Sequence, residues 1–244
     1  MARHHPVAHR RKQTLLSIPV HIDRSWFMVL AFVTWSLASD YFPSIMPGVE
    51  NAVYWMTGLV SAILLFACVL LHEFGHSLMA MRYGMTIDRV TLFMFGGVAQ
   101  LVGQLRRPSM ELVVALAGPL VSAVIAGGCA ITAFILSRSH VPPIVVIAVV
   151  QYLAFMNVAL IIFNLLPGFP LDGGRVLRAL LWLWTGNLRR ATRIASIVGI
   201  ILAFGLFGLG GWLMGKGPWA GGLWYVLLGF FLYRSAHASY QATS

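Results

Sequence analysis

The sequence predicts an all-α polytopic membrane protein, with six transmembrane helices and a small cytoplasmic-side β-hairpin or sheet between helices 2 and 3. Of its 244 residues, 59% are hydrophobic and only 10% are charged, whereas soluble domains carry about 25% charged residues. Runs that are free or nearly free of charge, and long enough for a bilayer at about 17 to 25 residues, recur along the chain. They cover residues 25–42, 52–81, 111–136, 141–166, 191–214 and 219–233, and the last is the shortest.

The positions of the basic residues predict the orientation of these spans. The chain carries 17 Lys and Arg residues and a formal net charge of +10. With six spans, all of them except Arg138 and Lys216 fall on the amino-terminal side. Basic residues concentrate in cytoplasmic loops, so both termini of a multi-pass plasma-membrane protein are expected in the cytoplasm. The excess charge is thus explained by topology and by lipid phosphates, and nucleic acid is not an expected partner because no reading module is recognisable.

Three segments are expected along the chain. Residues 1–24 form a basic cytoplasmic tail, residues 25–234 form the membrane domain, and residues 235–244 form a short cytoplasmic tail. Between the second and third spans, residues 85–105 are too polar to cross a bilayer and rich in β-branched and aromatic residues around a glycine break. This pattern predicts the hairpin or small sheet.

Two helix interruptions are predicted within the membrane domain. Gly118-Pro119 breaks the hydrogen-bond ladder of the third span, which neighbouring helices can compensate. Residues 164–175 contain two prolines and three glycines, so the backbone must unwind at a depth where only protein or water can surround it. A short helix is expected to restart over residues 174–184, with Arg175 and Arg178 toward water.

The pentad His72-Glu73-Phe74-Gly75-His76 lies at the end of the second span. On a helix its histidines are four positions apart and therefore share a face, where both imidazoles can reach one zinc ion while the glutamate handles protons. An ionisable residue among lipid-facing helices is expensive and is usually kept for a function. The motif therefore indicates a metal-dependent hydrolase site inside a membrane.

A catalytic zinc site takes three protein ligands and leaves a fourth position for water, so a third ligand is needed besides His72 and His76. The acidic candidates are Asp23, Asp40, Glu50, Asp88, Glu111 and Asp172. Asp40 and Glu50 fall on the opposite side of the membrane. Asp172 follows a span that descends to the side of the pentad, and it lies at a comparable depth on the predicted break. It is the preferred ligand, because the remaining candidates lie in ordinary polar flanking sequence.

These residues support hydrolysis of a peptide bond. Zinc lowers the pKa of its water toward about 7, so that Glu73 can take the proton and pass it to the leaving amine. The oxyanion would be held by zinc and by an amide donor, for which Asn164 is the candidate. Without a metal, the same histidines would be a polar helix contact, and Glu73 would form an ion pair with a residue such as Arg82.

The long motifs closely resemble the site-2 protease family of intramembrane zinc metalloproteases, in its compact prokaryotic branch. The resemblance rests on HEFGH in a transmembrane helix together with NLLPGFPLDGGRVLRAL at residues 164–180. Further matches are Ile18 to Phe27, Phe95 to Val98 and Ala117 to Leu120. Some members of the family carry a PDZ domain and others a CBS pair, and this chain is expected to have neither.

The resemblance implies roles for particular residues. His72, His76 and Asp172 would be the ligands of one zinc ion, Glu73 the general base, and Asn164 a polar residue near the substrate. It also implies a membrane-protein substrate that is cut in or beside its transmembrane segment, and a strand-like element at Phe95 to Gly97 that helps to present it. The oligomeric state does not follow from the sequence.

Two other classes of function remain open at this point. A non-proteolytic metal-binding membrane protein or transporter could use the same ligands, since transporters bind ions at broken helices. Glu73 would then be superfluous, and no second broken helix lies in a matching repeat. A prenyl-protein endopeptidase would need a glutamate ligand downstream, and no glutamate follows Glu111.

Overall fold

The computed structural model describes residues 18–94, 96–103, 106–217 and 219–242, and its fold is mostly helical with one small sheet. A first helix, α1 (Arg24–Ser36), continues through a π-helical turn (Leu37–Tyr41) into α2 (Phe42–Ile45). The remaining helices are α3 (Asn51–Arg82), α4 (Pro108–Ser137), α5 (Ile144–Asn164), α6 (Asp172–Thr185), α7 (Leu188–Lys216) and α8 (Trp219–Gln241). The strands are β1 (Val20–Ile22), β2 (Thr86–Phe93) and β3 (Gly96–Val102).

Each of the six predicted spans coincides with a helical segment. Four of these helices, α3, α4, α5 and α7, are long and apolar enough to cross a membrane by length and composition. The helix that was expected to restart over residues 174–184 is α6, which begins two residues earlier, at Asp172. The fold is therefore mostly helical, with four candidate membrane helices and an additional amphipathic helix, α6, between α5 and α7.

The amino-terminal helix is held by a cap and by close packing on α3. Asp23 accepts a hydrogen bond from the backbone N–H of Ser25 at 2.9 Å, so it satisfies one of the free donors at the start of α1. The π-helical turn ends just before Pro43, whose missing N–H interrupts the regular ladder. At Gly58 the backbones of α1 and α3 approach so closely that a Cβ would lie 2.9 Å from the carbonyl oxygen of Thr34.

The sheet has three strands in the order β1-β2-β3, with β3 at an edge. β2 and β3 form an antiparallel hairpin whose register pairs Phe93 with Gly96. β1 runs parallel to β2, with Val20 opposite Val90. From the sequence, this three-residue strand was expected to be part of the amino-terminal tail, because so short a run has no periodicity to recognise. Phe95 and residues 1–17 of the predicted tail lie outside the described residues.

The predicted break between α5 and α6 is a tight turn packed against α7. A Cβ on Gly168 would lie 2.7 Å from the Cα of Gly199, so the turn and α7 are in backbone contact. A Cβ on Gly173 would overlap the carbonyl group of Leu165, which closes the turn on itself. The turn therefore places the first residue of α6 beside the end of α5.

A buried ion pair joins α4 to α6 and corrects two expectations. Glu111, in the first turn of α4, is 1% exposed, although its sequence context resembles ordinary polar flanking sequence. Arg178, which was expected to face water, donates from Nε to Glu111 Oε1 at 2.7 Å, and its Nη2 contacts the same oxygen. Because an unpaired buried carboxylate is costly, each residue requires the other in this fold.

Candidate metal centre and adjoining cavity

Three buried side chains converge where α3 meets α6. His72 and His76 lie one helical turn apart on α3, and Asp172 is the first residue of α6. Each histidine Nε2 lies 3.1 Å from Asp172 Oδ2, and the three potential ligand atoms lie within 4.8 Å of one another. The structure therefore brings together the two histidines of the pentad and the aspartate that the sequence placed at the same depth.

The second nitrogen of each imidazole is oriented by α4. His76 Nδ1 lies 2.7 Å from the backbone carbonyl oxygen of Val114, and His72 Nδ1 lies 2.9 Å from Ser122 Oγ. A carbonyl oxygen can only accept, so the proton of neutral His76 is on Nδ1 and the lone pair of Nε2 points toward Asp172. This arrangement is common behind metal-bound histidines, where it fixes the tautomer and the ring orientation.

The convergent atoms fit a divalent metal ion. With the proton of His76 on Nδ1, its Nε2 and the Asp172 oxygen are two acceptors that face each other at 3.1 Å, an unfavourable contact unless a cation or a proton lies between them. Two imidazole nitrogens and one carboxylate oxygen are a donor set typical of catalytic zinc sites. His72, His76 and Asp172 can therefore hold such an ion.

Space for this group depends on a glycine in α4. A Cβ on Gly118 would lie 2.6 Å from His72 Nε2 and would overlap His76 Nε2. Gly75, within the pentad, lets α4 approach equally closely, because a Cβ there would lie 2.8 Å from the carbonyl oxygen of Ala117. The two helices thus meet through glycines at the level of the imidazoles, and the Gly118-Pro119 interruption lies against the site.

Glu73 faces the sheet. A Cβ on Gly97 would lie 2.5 Å from Glu73 Cγ, and Ala99 lines the same cavity as Glu73. Both residues belong to β3, the edge strand. The carboxylate therefore lies between the two imidazoles of its own helix and the backbone of β3.

A cavity of about 170 Å³ adjoins this carboxylate. Its polar lining consists of Glu73, His76, Asp172, Asn164 and Arg175, and the remainder is Pro170 and the β3 residues 97–99. Asn164 donates from Nδ2 to the carbonyl oxygen of Leu160 at 3.0 Å, which holds its amide at the end of α5. All five residues named from the sequence as site residues therefore meet at one place.

Several contributors to the site were not identified from the sequence. Arg175 lines the cavity although it was expected to face water, and Ser122, Val114 and Gly118 support the imidazoles from α4. The Gly118-Pro119 pair was the sequence feature that could have indicated a contribution of α4 to the site, since glycine often marks a close approach of backbone to a ligand. Nothing in the sequence pairs Ser122 or Val114 with a particular histidine.

A buried His-His-Asp donor set among apolar helices, with a carboxylate and a cavity beside it, defines a membrane protein with a candidate metal centre. The chain belongs to peptidase family M50, whose family model matches residues 60–142 and 127–206.

Named relatives and a solved structure are similar over most of the chain. A putative zinc metalloprotease of Synechocystis is 38% identical over 235 residues, which are 94% of this chain and 59% of that protein. The putative zinc metalloprotease Rip3 of Mycobacterium tuberculosis is 38% identical over 217 residues, covering 89% of this chain and 55% of the relative. The chain thus spans less than two thirds of the length of these relatives. The structure of the site-2 protease from Methanocaldococcus jannaschii aligns with a TM-score of 0.61 and 28% identity, covering 93% of each chain.

Proposed function

We propose that this chain is an intramembrane zinc metalloprotease, which hydrolyses a peptide bond in or near the transmembrane segment of a membrane-protein substrate. The observation that carries the proposal is the convergence of His72, His76 and Asp172 next to Glu73, at a cavity bordered by an edge strand. Metal ligands alone would suit a metal-binding protein or a transporter. A carboxylate beside them, facing a cavity, is what hydrolysis requires.

His72, His76 and Asp172 would hold one zinc ion. When bound, zinc supplies Lewis acidity, which makes water a better nucleophile and polarises a peptide carbonyl. The carbonyl oxygen of Val114 and the hydroxyl of Ser122 keep the imidazoles in place. Enclosure among α3, α4 and α6 keeps bulk water away from the donor atoms.

Glu73 would act as the general base. Its carboxylate borders the same cavity as His76 and Asp172, so a water molecule in the cavity lies within its reach. It would accept a proton from this water and return it to the leaving amine. Asn164, which lines the same cavity, carries an amide that can donate to a substrate carbonyl as negative charge develops on its oxygen.

The edge of β3 would receive the substrate. A peptide bond inside a transmembrane helix is shielded by its own hydrogen bonds, so the segment must unwind before it is cut. An extended segment can satisfy its backbone groups by pairing with a free strand edge. Residues 97–99 of β3 line the cavity, so a strand paired there would pass next to Glu73.

The proposed topology has six spans within a metalloprotease domain of residues 25–234. Besides the four long helices, α1 with its continuation through α2 would form the first span and α8 the last. Both termini, the tails at residues 1–24 and 235–244 and the sheet would face the cytoplasm of a plasma-membrane protein. The distribution of arginines supports this orientation, and the lipid bilayer is the expected surroundings.

Co-expression with candidate single-span substrates tests the proposal. Glu73→Gln is expected to abolish cleavage while the purified protein keeps its zinc, whereas Asp172→Ala is expected to lose both. Asp88→Asn is a matched control, because Asp88 is an exposed acid whose ion pair is with the adjacent Arg89, and it should cleave normally. Undiminished cleavage by Glu73→Gln would overturn the mechanism.

A further inference from the structure

A second cavity, of about 470 Å³, lies among α6, α7 and α8, outside the metal centre. It is lined by Arg178, Leu188, Arg189, Thr192, Ser239 and Ala242. None of these residues lines the cavity beside Glu73, and the volume falls in the range of about 300 to 1,000 Å³ typical of small-ligand sites. Among the described residues, the lining contains two guanidinium groups and two hydroxyl groups but no carboxylate.

The two arginines of this cavity have different surroundings. The Nε and Nη2 groups of Arg178 bind the buried Glu111, so its charge is largely compensated, and its side chain remains 25% exposed. The exposed Arg189 has no ion-pair or hydrogen-bond partner for its guanidinium within the described part of the chain. The cavity therefore has one uncompensated positive charge beside a fixed, partly exposed guanidinium.

The start of α7 forms part of the wall of the same cavity. Leu188 and Arg189 are the first two residues of the helix, where backbone N–H groups have no intrahelical acceptor. The cap residue Asn187 accepts from the N–H of Arg190 at 3.0 Å, so it does not occupy the two preceding donors. Donors of this kind favour anions.

The neighbouring surface of α6 places the cavity at the level of lipid headgroups. Leu180, Leu183 and Trp184 expose 49%, 54% and 88% of their surface, and Leu188 exposes 41% beside the cavity. An amphipathic helix with such an exposed apolar face lies along a membrane surface, with its polar side next to the headgroups. A cavity beside the polar side of α6 would therefore lie next to the headgroups.

We propose that this cavity binds a phosphate-bearing anion, the chemistry shared by the headgroup of an anionic phospholipid and by free phosphate. Guanidinium groups bind phosphate oxygens through paired, charge-assisted hydrogen bonds, and Arg189 is free to form them. Such a ligand would contact α6 and α7 together, and it would offset the uncompensated positive charge of Arg189. Its occupancy stabilises the folded chain in proportion to its concentration.

Thermal unfolding of the purified full-length chain in a neutral detergent tests this site. The chain would be titrated separately with short-chain phosphatidylglycerol, inorganic phosphate and zwitterionic short-chain phosphatidylcholine. Arg189→Gln removes the free cation of the cavity. Arg190→Gln is the matched control, because it removes the same charge from the adjacent exposed residue, which does not line the cavity.

The natural chain and Arg190→Gln are expected to show a saturable rise in unfolding temperature with phosphatidylglycerol or phosphate. Arg189→Gln should need about tenfold more of the same anion, as expected for loss of a charge-assisted pair. A response to phosphatidylglycerol alone identifies a lipid headgroup as the ligand, and a response to phosphate as well identifies a soluble anion. Equal weakening in both variants, an equal response to phosphatidylcholine, or no saturable response would overturn the proposal.

Discussion

Replacement of Gly118 by alanine should weaken zinc binding at the site without unfolding the chain. The added Cβ would lie 2.6 Å from His72 Nε2 and would overlap His76 Nε2. Ordinary contact begins at about 3.4 Å, so the His72 imidazole must move by about 0.8 Å and the His76 imidazole by more. Metal–nitrogen bonds tolerate deviations of about 0.2 Å. Because this shift is several times larger, zinc affinity should fall by at least about 100-fold, or about 2.7 kcal/mol.

Gly127→Ala in the same helix is the control for this prediction. A Cβ there would meet nothing within 4 Å, so the substitution should keep zinc and gain about 0.5 to 1 kcal/mol of stability from the higher helix propensity of alanine. Zinc per chain is measured by elemental analysis of purified protein, and folding by thermal unfolding in the presence of a chelator. A Gly118→Ala chain that keeps one zinc ion per molecule at the natural affinity would refute the close approach of α4 to the imidazoles.

Two further predictions concern the neighbours of the site. Gly97→Ala should lose most cleavage activity yet keep its zinc, because its Cβ would lie 2.5 Å from Glu73 Cγ and displace the proposed base. Cleavage and zinc content are measured on the same variant. Normal cleavage would contradict the placement of Glu73. Arg178→Met should lower the free energy of unfolding by about 3 kcal/mol, because it leaves Glu111 charged and buried. The double substitution with Glu111→Met should recover most of this loss. Equal stabilities for the single and double variants in thermal unfolding would argue against the ion pair.

The residues predicted best from the sequence are those whose chemistry conflicts with their surroundings. His72, His76 and Asp172 were recognised because ionisable groups are rare in apolar spans, and the helical repeat placed both imidazoles on one face. Asp172 was preferred among six acids because it falls on the same side of the membrane as the pentad, at a comparable depth, and on the predicted helix break. The structure places the potential ligand atoms of these three residues within 4.8 Å of one another, so membrane side, depth and the helix break together indicated this long-range contact.

The features missed are those that depend on a partner far along the chain. Glu111 looks like a solvated residue at a helix start, and its burial follows from Arg178, 67 residues later. β1 is three residues long and exists because β2 offers it a parallel partner. Neither feature has a local pattern, since burial and pairing of this kind arise when the elements pack together.

The 100-residue separation between His72 and Asp172 has a consequence for biosynthesis. A ribosome must add α4 and α5 to the nascent chain after the two histidines before it reaches the carboxylate. Until then, the emerging polypeptide offers an incomplete donor set, which holds zinc weakly. Translation that stops before Asp172 therefore yields a fragment that lacks one of the three donors, and the His-His-Asp group can assemble only after the start of α6 has been added to the chain.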